Sequence, residues 1–251
     1  MSSTAISLIV LACVFGGALL GIFLHAVLPQ HHLATDSRDI VKLGMGLVAT
    51  MAALVLGLLV ASAKGSYEAQ SSELIQMSAN IALLDRVMAH YGPETKEARD
   101  LLRGSVVKTL DQMWSKDNTN RSPMAPTSAG TEILYDKLQG LSPKNDTQRA
   151  LQGQASSIAM DLGKTRWLMY EQTTTTVSMP LLAVLVLWLT VIFISFGLFA
   201  PLNATVVASL FISALSVSGA IFLILEMYEP YGGLIHISSN PLRAALAQLG
   251  R

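Results

Sequence analysis

The chain has 251 residues, 51% of them hydrophobic and only 14% charged, against about a quarter charged in an average soluble domain; its mean hydropathy is +0.48. A purely soluble domain is thereby excluded. Lys+Arg 17 balances Asp+Glu 17, so no net basic field is available to hold nucleic acid and no acidic excess points to a disordered chain.

The first apolar run, residues 5–28, contains no Asp, Glu, Lys or Arg and exceeds the roughly 20 helical residues that cross a hydrocarbon core of about 30 Å. It lacks a basic leader and a small-x-small cleavage site, so it reads as a retained span. Cys13, the only cysteine, excludes an internal disulfide framework and a multi-cysteine zinc site. Cys13, Gly17 and Gly21 recur every four residues, a packing seam of small side chains. His25 continues that spacing, and His31 and His32 follow in the connecting loop. Without carboxylate or cysteine companions at ligand spacing, the three histidines read as interfacial and loop residues, and no metal is expected.

The second run, residues 43–63, places Gly46, Thr50, Ala53, Gly57 and Ala61 on one stripe at 100° per residue, with Lys64 and Glu68 continuing the phase. Val48, Val55 and Leu59 point the other way and suit lipid or bulkier neighbours. Two readings of the stripe stand side by side. A small-residue face lets helices approach closely; equally, it can wall a pore, with Leu54 at its edge as a hydrophobic constriction and Lys64 and Glu68 as charged rings at the mouth.

Leu74, Met77, Ile81, Leu84, Met88 and Tyr91 follow at spacings of three and four until Gly92 and Pro93 stop the pattern. One helix is expected from about Val41 to Tyr91, roughly 75 Å at 1.5 Å per residue. A second helix from near Pro93 carries Leu101, Leu102, Val106, Leu110 and Met113. The polar stretch 116–128 reads as a loop, and a short helix is expected around residues 132–138. Ser142 and Pro143 signal the start of a helix bearing Leu151, Ile158, Leu162 and Leu168, which leads into the third span.

The third and fourth apolar runs are residues 179–199 and 202–225. Ser209, Ser213 and Ser216 lie along one face of the fourth, suited to packing. Asn203, Glu226 and Glu229 bracket it, and Glu226 is placed either as a snorkelling end residue or as a partner for a cytoplasmic base. The tail 226–251 contains Pro230, Gly232, Gly233 and Pro241 and is expected to fold against the cytoplasmic helices.

The fold class is therefore an all-α integral membrane protein with four transmembrane helices and a helical cytoplasmic domain between spans 2 and 3. Its expected parts are 1–63 (spans 1 and 2), 64–178 (the cytoplasmic domain), 179–225 (spans 3 and 4) and 226–251 (a cytoplasmic tail). Basic residues concentrate between Lys64 and Arg166, with only Arg38 and Lys42 in the opposite loop, so the positive-inside rule puts both termini in the cytoplasm. No Gly-x-Ser-x-Gly, His-Glu-x-x-His, Walker or dinucleotide-binding signature occurs, so neither an enzyme nor a cofactor is expected. Asn120, Asn145 and Asn203 open glycosylation patterns, two of them in the expected cytoplasmic part, and these read as chance matches.

The segments 54–64, 141–149 and 216–226, in this order and spacing, resemble a bacterial family of unknown function called bestrophin-like, and the resemblance covers essentially the whole chain. It implies a multi-pass protein of the bacterial inner membrane. Bestrophins, to which that family is distantly similar, are pentameric ion channels with four spans per subunit and a pore lined by the second. Glu226, Glu229, Pro230, Tyr231 and Gly232 look like their stretch after the last span. Animal bestrophins continue with an acidic calcium-binding run, whereas here Gly233, Leu234, Ile235 and His236 follow, so calcium gating is not carried over. Their pore neck uses phenylalanines, and no Phe lies between Phe23 and Phe193, which leaves Leu47, Met51 or Leu54 for a neck.

The expected function is an oligomeric ion channel or channel-like protein embedded in membrane lipid, homo-oligomeric and by resemblance pentameric, with an unspecified permeant ion. A four-span stator or energiser subunit is the first alternative; such proteins need a partner span bearing a carboxylate. A non-conducting scaffold or sensor is the second.

Overall fold

The computed structural model describes residues 2–29, 35–114, 129–174, 178–201 and 203–250, and among these it contains helices and no strand. The α-helices are α1 Ser3–Val27, α2 Thr35–Tyr91, α3 Lys96–Met113, α4 Ala129–Gln139, α5 Asp146–Thr174, α6 Met179–Phe199, α7 Ala204–Met227 and α8 Asn240–Gln248. A single 3-10 turn, Pro93–Thr95, links α2 to α3. Helices α1, α2, α6 and α7 are long and apolar enough to cross a membrane, the four spans expected. His31, His32, the stretch 116–128 with Asn120, Leu202 and Arg251 lie outside the described residues.

Helix ends follow local chemistry. The Asn203 side chain accepts from Val206 N at 2.8 Å and starts α7. Helix α5 starts later than the Ser142 and Pro143 signal suggests. Asn145 Oδ1 accepts from Gln148 N, while Gln148 Oε1 accepts from Lys144 N, both at 2.8 Å. This reciprocal cap satisfies two backbone donors, which Ser142 does not do here. Two of the asparagines that open glycosylation patterns, Asn145 and Asn203, are thus helix caps.

The chain divides into two compact units, Met1–Gly65 with Val177–Tyr228, and Ser66–Thr176 with Glu229–Arg251. In the first, the membrane unit, α1 packs on both α6 and α7. Gly21 of α1 sits against the Ile194 carbonyl and Gly197 of α6 against the Ala18 carbonyl, so closely that a Cβ at either position would strike backbone. Gly17 lies against Thr190 in the same crossing. Lipid tails are as apolar as the helices, so such close packing is what drives association here. Cys13 is exposed and does not join this seam, contrary to expectation; Val10, Val14 and Ala18 complete it instead. The seam crosses α1 obliquely, and Cys13 falls off its edge.

Polar atoms close the same contacts. His25 Nδ1–H donates to Leu198 O at 2.7 Å, and the buried Ser218 hydroxyl donates to Ser7 O at 2.6 Å. The serines expected to pack, Ser209, Ser213 and Ser216, are exposed, because α7 turns Ala214, Ser218 and Ile221 inward.

The second unit has its own core. Leu74, Met77, Ile81, Leu84, Met88 and Tyr91 are all buried, as their spacing predicts. All but Tyr91 pack with Leu102 and Val106 of α3, Leu138 of α4, Ile158 and Met169 of α5, and Leu242 and Leu249 of the C-terminal segment. Leu168 is exposed and Met169 takes the core position. Asp85, with its side chain 7% exposed, accepts from Arg99 Nε and Nη2 at 2.7 and 2.9 Å and from Gly250 N at 3.2 Å. The bond to this carboxylate raises the Arg99 pKa above its ordinary value.

Gly21→Ala is expected to destabilise the detergent-solubilised protein by about 1–3 kcal/mol, whereas Gly16→Ala, whose Cβ meets open space, leaves it unchanged; equal melting curves for the two variants would sink the crossing as the organising contact. Asp85→Ala strips a buried bidentate pair and is expected to cost about 3 kcal/mol. Lys144→Ala, at an exposed ion pair, serves as its control and should melt like the parent.

Candidate functional site

Of the four spans, α2 is the least covered: 11% of its most apolar window is buried, against 33%, 39% and 22% for α1, α6 and α7. Its covered side is formed by Ala52, Leu59 and Ala63, with Val48 and Val55 half-buried beside them. The residues expected to line a path, Gly46, Thr50, Ala53, Leu54, Gly57, Ala61, Lys64 and Glu68, are all exposed. A Cβ built on Gly46 or Gly57 meets nothing within 4 Å. Among the described residues, the small-residue stripe is therefore left exposed.

The uncovered surface of α2 has two sectors. Leu47, Met51, Leu54 and Leu58 form a bulky apolar row. Beside it runs the small row, where the Thr50 hydroxyl donates back to Gly46 O at 2.9 Å, so its polarity is satisfied within the helix. Lys64 belongs to the membrane unit and Glu68 to the second.

The stretch after the last span is split between the units. In the membrane unit Glu226 is buried, at 4% exposure, and the Tyr228 hydroxyl bonds with the Ser62 hydroxyl of α2 at 3.1 Å. In the second unit Glu229 is exposed, Pro230 buried, and Tyr231 and Gly232 half-buried. The loop closes on itself through Gly232 N to Glu229 O at 3.0 Å and Ile237 N to Pro230 O at 2.7 Å. Gly233, where the sequence departs from the bestrophin pattern, has φ +71°, a conformation that favours glycine. The Tyr231 ring stands edge-on to Trp114 with centroids 5.7 Å apart, and Trp114 Nε1 donates to Ile237 O at 2.9 Å.

The second unit also buries polar atoms that no motif marked. Gln172 Nε2 donates to Glu73 Oε1 at 2.6 Å, while Gln70 Oε1, Glu73 Oε2, Gln172 Oε1 and the Tyr231 hydroxyl are buried without a protein hydrogen-bond partner. A signal was present: Gln70 falls four residues before Leu74, in phase with the apolar stripe. Burial, and secondarily the Glu73 charge, raises the Tyr231 pKa well above its ordinary 10.0. Among the described residues no three His, Cys, Asp or Glu side chains come together as a metal site.

A family model for the Bestrophin-like domain matches residues 12–242 of the chain. No curated protein and no solved structure matches it.

The Tyr231 environment has a pH signature. Its folded pKa is raised, so the neutral phenol is favoured in the folded state and the unfolded chain ionises first. That contribution is intact below pH 10 and is lost as pH rises beyond it. Tyr231→Phe is expected to match or exceed the parent in stability near neutrality, since it removes a buried hydroxyl without a partner. Above pH 10 its advantage should widen by up to about 1.4 kcal/mol per pH unit. A gap that stays flat from pH 8 to 11 would contradict this assignment.

Proposed function

Because the chain belongs to the bestrophin-like family, and is a membrane protein with four apolar helices, we propose that it forms a homo-oligomeric ion channel or channel-like assembly in which the small-residue face of α2 lines the central path. The observation that carries this reading is the uncovered row Gly46, Thr50, Ala53, Gly57 and Ala61. The protomer satisfies the glycine seam between α1 and α6 internally and leaves this row open. A ring of copies arranged about an axis would turn the row inward, where small side chains leave room for an ion. The bulkier exposed Leu47, Met51 and Leu54 supply candidates for a hydrophobic constriction in a helix that lacks phenylalanine. Lys64 and Glu68 follow as charged rings at the mouth.

The distribution of basic residues supports placing both termini and the second unit in the cytoplasm, with the connections α1 to α2 and α6 to α7 outside. Five copies and a bacterial inner-membrane location are part of the proposal, supported by the resemblance to bestrophins alone. No enzymatic activity or resident cofactor forms part of the proposal.

The test is the purified protein's oligomeric mass in detergent, followed by planar-bilayer recording under KCl gradients and ion substitution. A discrete conductance supports the channel, and its reversal potential identifies the permeant ion. Gly57→Leu is expected either to prevent assembly or to change unitary conductance by roughly twofold or more. Normal oligomers with unchanged conductance would remove this face of α2 from the path, and a monomer would remove the central pore altogether.

A further inference from the structure

In the membrane unit, α2, α6 and α7 enclose a cleft of about 610 Å³ at the end where α6 stops and α7 begins, a size typical of small-ligand sites, roughly 300–1,000 Å³. Two cations line it, Arg38 and Lys42, four residues apart and so on one side of α2. Below them the wall is mostly apolar, with Met45, Ala49, Phe196 and Leu210, and Ser195 and Ser209 also line it. The first charges that flank a span lie at headgroup level, so the cleft has a cationic lip and a hydrocarbon floor.

The lip is built rather than incidental. Arg38 Nη2 donates to Phe199 O at 3.3 Å, and the guanidinium carbon stands 5.8 Å from the centroid of the Phe199 ring. These contacts hold the group in place while using one of its five N–H donors. Among the described side chains, the Asp39 carboxylate lies 3.8 Å from Lys42 Nζ, with both side chains more than half exposed. Such a long, solvated pair does not neutralise the ammonium.

We propose that this cleft binds an anionic phospholipid, with its phosphate between Arg38 and Lys42 and an acyl chain along Met45, Ala49, Phe196 and Leu210. A free anion would engage the cations and leave the apolar wall bare. A zwitterionic lipid would fill the wall but bring its own ammonium to a basic lip. An anionic lipid satisfies both halves, and basic pockets between membrane helices hold such headgroups elsewhere. The site shares only Gly46 with the row proposed to line a conduction path and does not depend on conduction.

The test is native mass spectrometry of the full-length protein in detergent, titrated with phosphatidylglycerol and with phosphatidylcholine of the same acyl chains. Phosphatidylglycerol is expected to bind at least fivefold more tightly, about what one basic side chain near the surface contributes. Lys42→Glu, an exposed change that spares the fold, should abolish the preference, and Arg38→Gln should weaken it by a similar factor. Equal binding of the two lipids, or an undiminished preference in Lys42→Glu, overturns the proposal. So does displacement of the lipid by millimolar inorganic phosphate, which would mark a site for the free anion alone.

Discussion

The membrane unit depends on the absence of side chains where α1 crosses α6. Gly21 and Gly197 each face a carbonyl of the opposite helix, and the approach is possible only because neither carries a Cβ. In lipid there is no hydrophobic gain from bringing two apolar helices together, so the contact rests on close van der Waals fit. With the backbones this near, His25 reaches Leu198 O, and on the α7 side of α1 the buried Ser218 reaches Ser7 O. Helix α1 packs on α6 and α7, and α2 is the least covered span.

Much of this was legible in the chain. The four apolar runs are the four span helices, because an apolar stretch without charges has few alternatives at that length. The stripe from Leu74 to Tyr91 is buried at every position named, since spacings of three and four define one helix face. Errors arose where a local signal competed with a better one nearby. Ser142 with Pro143 resembles a helix start, but Asn145 and Gln148 together cap two donors and win. Cys13 shares the four-residue spacing of Gly17 and Gly21 yet is exposed, because a row of every fourth residue drifts around the helix and leaves an oblique seam.

The site was legible in part. The small face of α2 is visible as a pattern, and the structure adds that among the described residues it is exposed. The pairing of Glu73 with Gln172 was not legible, because the two residues are 99 positions apart and neither belongs to a motif. The same holds for Asp85, which reads as a surface charge on a helix. It becomes a buried junction only when Arg99 and Gly250 arrive from other segments. Long-range polar contacts of this kind depend on tertiary placement, which periodicity does not encode.

The interleaving of the two units sets an order of manufacture. The second unit takes core residues from the chain before α6 and again from the C-terminal segment, where Ile237, Leu242 and Leu249 are buried. A ribosome adding about 5–20 residues per second therefore releases residues 66–174 several seconds before their last core partners exist. During that interval α6 and α7 must enter the bilayer while the part of the core that Ile237, Leu242 and Leu249 complete waits uncovered. Completion of the second unit is thus a late event that occurs only in chains translated to the end, and a prematurely truncated product would carry an exposed apolar surface for quality-control proteases to recognise.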